Sequence, residues 1–135
     1  MDNCIFCKII KGEIPCYKIY EDEFTLAFLD IANDHYGHTL VIPKQHCENV
    51  LDCNNESLNH VIQTVKTISN HYVNNLGFDG VNILNANGKA AEQSVFHLHF
   101  HIMPRKHNDK KHMFPSLEKQ NFNLEEIANR LKINN

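Results

Sequence analysis

Val95-Phe-His-Leu-His-Phe-His-Ile-Met103 alternates apolar and imidazole side chains with a period of two. Successive side chains of a β-strand point to opposite faces, so a strand here puts Phe96, Leu98, Phe100 and Ile102 on an apolar core face. His97, His99 and His101 then line the other face, about 6.6 Å apart at ~3.3 Å per residue. Three imidazoles in a row have no packing rationale; the plain alternative is a histidine-rich, solvent-facing surface. The chain holds 10 histidines, and His35, His60, His71, His107 and His112 fall in no such pattern. Those five are expected as solvated surface residues.

Imidazoles fixed on a strand can hold a metal as neutral ligands, or one can attack an electrophile while its neighbours donate hydrogen bonds. No Asp or Glu lies within the strand, which disfavours a mononuclear catalytic metal centre and makes phosphorus the natural electrophile. A neutral imidazole attacks phosphorus without first losing a proton, and adjacent N–H groups stabilise charge on the non-bridging oxygens. Just upstream, Gly88, Gln93 and Ser94 supply a loop of small, amide and hydroxyl groups able to approach a phosphate.

Working outward, residues 79–85 read as a further strand. Residues 55–76 read as a long amphipathic helix with Leu58, Val61, Ile62, Val65, Ile68, Tyr72 and Leu76 on one stripe and Gly77 as its C-terminal cap. His38-Thr-Leu-Val-Ile-Pro43 is a strand stopped by its proline, preceded by a loop over 33–37. Residues 17–20 and 24–30 form a hairpin across Glu21-Asp22-Glu23. Residues 4–10 make a short apolar turn or helix ended by Gly12 and Pro15. Downstream, Asn123 with Glu126 resembles a capping box that opens a short helix over about 123–132, bearing Leu124, Ile127, Ala128 and Leu131. Arg105, Lys106, Lys110 and Lys111 read as a solvated face. The order of elements predicts an α+β fold on an antiparallel meander.

The chain has 135 residues, 42% hydrophobic and 21% charged, the make-up of an ordinary globular unit, so residues 1–135 are expected to form a single domain. A chain of this size buries enough surface to need no disulfide or metal staple. Sixteen acidic and 13 basic residues give a net charge of -3, against a dedicated nucleic-acid partner or a polybasic membrane anchor. No stretch reads as a signal peptide or a transmembrane span. Five cysteines in a chain with no export signal predict a cytoplasmic protein with free or metal-bound thiols and no structural disulfide.

His97-Leu-His-Phe-His-Ile-Met103 resembles the signature of the histidine-triad (HIT) family of nucleotide-binding proteins. Cys4-Ile-Phe-Cys-Lys-Ile-Ile-Lys-Gly-Glu-Ile-Pro15, Ala27-Phe-Leu-Asp-Ile31, Gly37-His-Thr-Leu-Val-Ile-Pro-Lys-Gln-His46 and Gln93-Ser-Val-Phe-His97 are similar to its nucleoside phosphoramidate hydrolase branch. The likeness runs from about residue 4 to 106, leaving a C-terminal extension. It implies a five-stranded antiparallel sheet with one long and one or two short helices, in a homodimer whose sheets join edge to edge. It also implies a purine nucleotide substrate cleaved at the α-phosphate through a covalent nucleotidyl-histidine. His99 would be the nucleophile, His101 would bond the phosphate, and His38 would support them. Asp30 would bind the ribose hydroxyls, with Ile5, Phe6, Ile9, Phe28, Leu29 and Ile31 forming the purine slot. Asn85, Gln93 and Ser94 would meet the phosphate and leaving group. No organic cofactor is implied.

Cys4 and Cys7 have the spacing of a chelating thiol pair; as plain residues they would be small apolar fillers. The resemblance implies a structural zinc held by Cys4, Cys7, His46 and His97. Cys16, Cys47 and Cys53 are left as free thiols. Two departures from the family pattern stand out. Glu92 occupies a usual glycine position, adding charge and demanding ordinary backbone angles, and Asn33 replaces a usual proline. Two alternative functions remain: a metal-dependent phosphohydrolase, and a nucleotide-binding sensor or interaction protein with vestigial activity.

Overall fold

β-Branched and aromatic residues build the sheet, and in the computed structural model, which describes residues 3–134, they do so in five strands. Helix α1 (Ile5–Ile10) leads into β1 (Lys18–Glu21), β2 (Thr25–Leu29), β3 (Thr39–Pro43), the long helix α2 (Asn55–Asn70), β4 (Gly80–Leu84), β5 (Phe100–Arg105) and a terminal helix α3 (Leu124–Leu131). The strands lie in the order β1-β2-β3-β5-β4, antiparallel throughout. The Asp22 carboxylate closes the first hairpin by accepting from the backbone N–H groups of Phe24 and Thr25, both at 2.8 Å. Helix α2 is capped by Asn54, whose side chain accepts from the Ser57 N–H at 2.8 Å. A π-helical turn over His71–Asn75 prolongs it, and Gly77 then takes a left-handed φ of +81°.

Alternation along the strands divides the core in two. Ala27, Val41 and Ile102 face α2 and pack with Val61, Val65, Ile68 and Tyr72. Leu26, Phe28, Leu40 and Ile42 face the other way, onto Phe6 of α1. Two polar pairs lie within the core, Thr25 with Thr64 at 2.8 Å and Thr39 with Tyr72 at 2.7 Å. The apolar stripe of the helix is narrower than expected, since Ile62 and Leu76 are exposed. Helix α3 opens on Asn123, which accepts from the Glu126 N–H at 3.2 Å, and none of its residues is buried. No helix among the described residues is long and apolar enough to cross a membrane, and all five cysteines are free.

The strand expected from residue 95 starts only at Phe100. Residues 95–97 form a bend, because the Leu98 N–H bonds the Cys47 carbonyl at 2.9 Å and the His97 Nε2–H bonds that of Pro43 at 2.9 Å. These bonds draw the segment along the chain beyond β3 instead of into the ladder. Phe96, expected in the core, is 42% exposed as a result. The two-residue rule holds within β5: Phe100 and Ile102 pack against the α2-side cluster, while His101 pairs with Leu40 of β3, on the α1 side.

Candidate functional site

The bend splits the three histidines into two groups. His99 is buried, and its Nδ1–H donates to the His97 carbonyl at 2.8 Å, which leaves the Nε2 lone pair uncommitted. Asn85 Nδ2 donates to the His99 carbonyl at 3.0 Å, and Phe6 meets the ring edge-on with centroids 5.3 Å apart. Burial lowers the His99 pKa, working against the carbonyl bond that raises it. Burial also pushes His101 down, to about 4, with His99 and His38 adding to the shift. The His99 and His101 ring centroids are 5.0 Å apart, closer than a flat strand would set them.

His38 precedes β3 and bonds at both ring nitrogens. Its Nδ1–H donates to Asp34 at 2.8 Å, and its Nε2 shares a proton with His101 Nδ1 at 2.8 Å. An Asp30 carboxylate oxygen lies 3.6 Å from the same Nε2. The His38 bond holds the Asp34 carboxyl below its ordinary range. Sequence reasoning missed Asp34; the available signal was an acidic residue four positions before a candidate histidine, in a loop. Asp34, His38, Asn85, Glu92, His101 and Met103 line a cleft of about 330 Å³.

The other expected contacts divide. Gln93 is buried and saturated: it donates to the carbonyls of Glu48 at 2.7 Å and Val95 at 3.0 Å, and accepts from Gly88 N at 2.8 Å and Asn49 Nδ2 at 3.2 Å. It shapes the loop and keeps no free donor for a phosphate. Ser94 is exposed and lines a different surface cavity, beside Cys4, Ile5 and His46. Phe6 and Phe28 are core residues in edge contact at 5.5 Å, with Ile9 packed against their cluster. Leu29 and Asp30 are half-buried at the end of β2, Ile5 is exposed and Ile31 is 82% exposed. Glu92 does not impose ordinary angles but sits at φ +71°, closing the short turn Lys89–Ala91. Asn33 takes φ +55°, which a proline cannot adopt. Two histidines expected in solvent are engaged: His35 Nε2–H bonds the Pro104 carbonyl at 2.5 Å, and His60 stacks on Phe24 at 3.8 Å. Arg105, expected on a solvated face, is tied to Asp109 and Asn82.

His97 joins a second cluster. Its Nε2–H is spent on Pro43, so Nδ1 presents a lone pair toward Cys4 Sγ at 3.3 Å, Cys7 Sγ at 3.6 Å and His46 Nδ1 at 3.1 Å. Cys7 Sγ lies 3.3 Å from His46 Nδ1. A tetrahedral zinc with its usual bond lengths spaces its ligands about 3.3 Å apart for two nitrogens and about 3.6 Å for nitrogen and sulfur. These four distances lie close to that pattern, and all four atoms lie within 4.8 Å of one another. Burial, then the neighbouring Cys4, push the Cys7 thiol up to about 11. Asp30, His38 and His101 also approach one another, but two nitrogens 2.8 Å apart are spaced as a hydrogen bond.

Residues 11–108 match the HIT domain. This chain belongs to the HIT family. It is 46% identical over 129 residues to an uncharacterised HIT-like protein of Methanocaldococcus jannaschii, covering 96% of this chain and 98% of that one. It is 45% identical over 103 residues to an adenosine 5'-monophosphoramidase of Schizosaccharomyces pombe, covering 76% and 74%. A Zn-bound histidine triad family protein of Mycobacterium smegmatis shares its fold with a TM-score of 0.78 at 39% identity, covering 87% and 85%. The five-stranded antiparallel sheet with its long and short helices matches the HIT fold of these neighbours.

Proposed function

We infer that this HIT protein hydrolyses purine nucleoside 5'-phosphoramidates, and related nucleotides with a good leaving group, at the α-phosphate. His99 Nε2 attacks phosphorus in line; an N–P bond forms as the bond to the amine breaks, and the amine departs with a proton taken from solvent. Water then cleaves the nucleotidyl-histidine, releasing the nucleoside monophosphate and restoring the imidazole. His101 bonds the phosphate, His38 supports it, and Asn85 braces the His99 backbone. Asp30 takes the ribose hydroxyls, and the purine lies along Ile5, Ile9, Leu29 and Ile31 above Phe6 and Phe28. Gln93 acts by holding the loop that carries Ser94.

One observation carries this reading: the bond from His99 Nδ1–H to the His97 carbonyl at 2.8 Å, which presents a neutral, correctly tautomerised nucleophile. The activity named for the S. pombe relative supports the substrate class. A metal-dependent phosphohydrolase is disfavoured by the hydrogen-bonded spacing of His38 and His101. The reading includes a structural zinc on Cys4, Cys7, His46 and His97, the ion named for the M. smegmatis relative. Four protein ligands close such a site, so its contribution would be to fix α1 against His97, away from the chemistry. It also includes a homodimer through the free edge of β4, and a reducing, cytoplasmic setting for five free thiols.

The test is chemical trapping. A nucleoside phosphoramidate labelled at the α-phosphorus should leave label on the wild-type chain after alkaline quenching, and none on His99→Ala. That variant should lose on the order of 10³-fold or more in turnover. Near-full activity without His99 would eliminate the covalent route, and parallel assays on adenosine and guanosine substrates decide the base.

A further inference from the structure

Asp34, His38 and His101 form a chain whose proton inventory is fixed at one end. A carboxylate only accepts, so the 2.8 Å contact with Asp34 puts a proton on His38 Nδ1. In a neutral His38, Nε2 is then an acceptor, and the proton it shares across 2.8 Å comes from His101 Nδ1. His101 Nε2 is left as a bare lone pair. That is the wrong polarity for an anionic phosphate oxygen, which needs a donor.

We propose that entry of a nucleotide's phosphate into this cleft takes up one proton onto the His38–His101 pair, and that Asp34 is the positioning residue that stabilises it. The proposal rests on reading the cleft as the α-phosphate site. The proton comes from solvent to His101 Nε2, and the shared proton moves from His101 Nδ1 to His38 Nε2. His101 ends neutral and donating to the phosphate, and His38 ends as an imidazolium against its carboxylate. The groups facing the pair are Asp30 and Asp34 from the β2–β3 connection, His99 ahead of β5, and Glu92 from the loop after β4. Asp34 alone among these acids bonds the pair directly, while Asp30 stands 3.6 Å away. Burial keeps His101 neutral before the phosphate arrives, in line with its pKa near 4.

Calorimetry reads the proton without needing turnover. Adenosine and guanosine 5'-methyl phosphate carry one phosphate acid that is fully ionised near neutrality. Titrating them in HEPES and in Tris at pH about 7.5 should give an uptake of about one proton per site. Asp34→Asn keeps an acceptor oxygen and removes the charge; uptake should fall toward zero and Kd rise about tenfold for each pKa unit the carboxylate supplied. Asp34→Glu should restore part of both. In free wild-type protein, imidazole ¹⁵N shifts should report Nδ1–H tautomers for His38 and His101. Binding without proton uptake, undiminished uptake in Asp34→Asn, or an Nε2–H tautomer of His101 before binding would overturn the proposal. Failure to bind either ligand overturns it together with the proposed function. Proton-coupled binding with no phosphoramidate turnover upholds it and rejects the hydrolase.

Discussion

Replacing Gly37 by alanine probes the joint between the loop bearing Asp34 and the strand that follows His38. Gly37 has φ +78°, and a Cβ there would lie 2.9 Å from Cγ and 3.5 Å from Cδ of Pro104. Pro104 is buried in β5, and its carbonyl takes the His35 hydrogen bond, so the ring cannot swing aside without disturbing that contact. Two costs add. Left-handed backbone costs an alanine about 1 kcal/mol, and forcing a methyl into a packed, rigid neighbour costs about 1–3 kcal/mol. Gly12 separates them, because its φ is +81° and a Cβ there meets nothing within 4 Å. Gly12→Ala should therefore lose only about 1 kcal/mol, and Gly37→Ala about 2–4 kcal/mol. The entropy lost from the unfolded chain is the same for both substitutions and cancels in their difference. Urea unfolding with unchanged m-values measures that difference directly. If the two variants agree within about 0.5 kcal/mol, the close approach of β5 to this loop is wrong.

Three further expectations concern metal, pH and assembly. Zinc should co-purify at about one per chain, and at free zinc 1,000-fold above Kd should stabilise the fold by about 4 kcal/mol. A melting temperature unmoved by chelation or by Cys7→Ser, with no bound zinc, would reject that site. His101 titrates near 4 in the folded chain against 6.5 for a free imidazole, so as pH falls the unfolded chain takes up its proton first. The stability held above pH 6.5 should be lost between 6.5 and 4, by up to about 3 kcal/mol, and His101→Gln should flatten that slope. Equal slopes in the two proteins would contradict the burial argument. Ile83, 47% exposed on edge strand β4, should be needed for dimerisation: Ile83→Lys should sediment as a monomer, and a monomeric wild type at every concentration would remove the edge-to-edge dimer.

Much of the sheet was legible because strand alternation is local. Leu40-Val41-Ile42 and Phe100-His101-Ile102 each face the way their spacing dictates. The stretch before Phe100 was not legible, because what bends it lies far off in sequence: the carbonyls of Pro43 and Cys47. Asp34 escaped for a different reason. It sits in a loop, where no periodicity tells which way a side chain turns, and only the folded path from Asp30 to His38 brings it onto a ring nitrogen. Glu92 and Asn33 were read by residue type, but the backbone at both is left-handed, a property of the turn. Asn tolerates that region better than most residues, whereas a glutamate accepts strain there, held by the Lys89–Ala91 turn it closes.

His97 ties these features into one device. Its Nδ1 faces Cys4, Cys7 and His46, its Nε2–H is fixed by Pro43, and its carbonyl fixes the His99 proton. A cluster that holds the His97 ring thereby holds the peptide that sets the tautomer of its neighbour two residues on. The first histidine of the triad thus acts through its backbone, while its side chain anchors α1 to the sheet. That division lets one short run of sequence carry both a thiol–imidazole cluster and a His99 ring whose Nδ1–H is fixed. A metal bound there would govern the orientation of His99 without approaching the phosphorus.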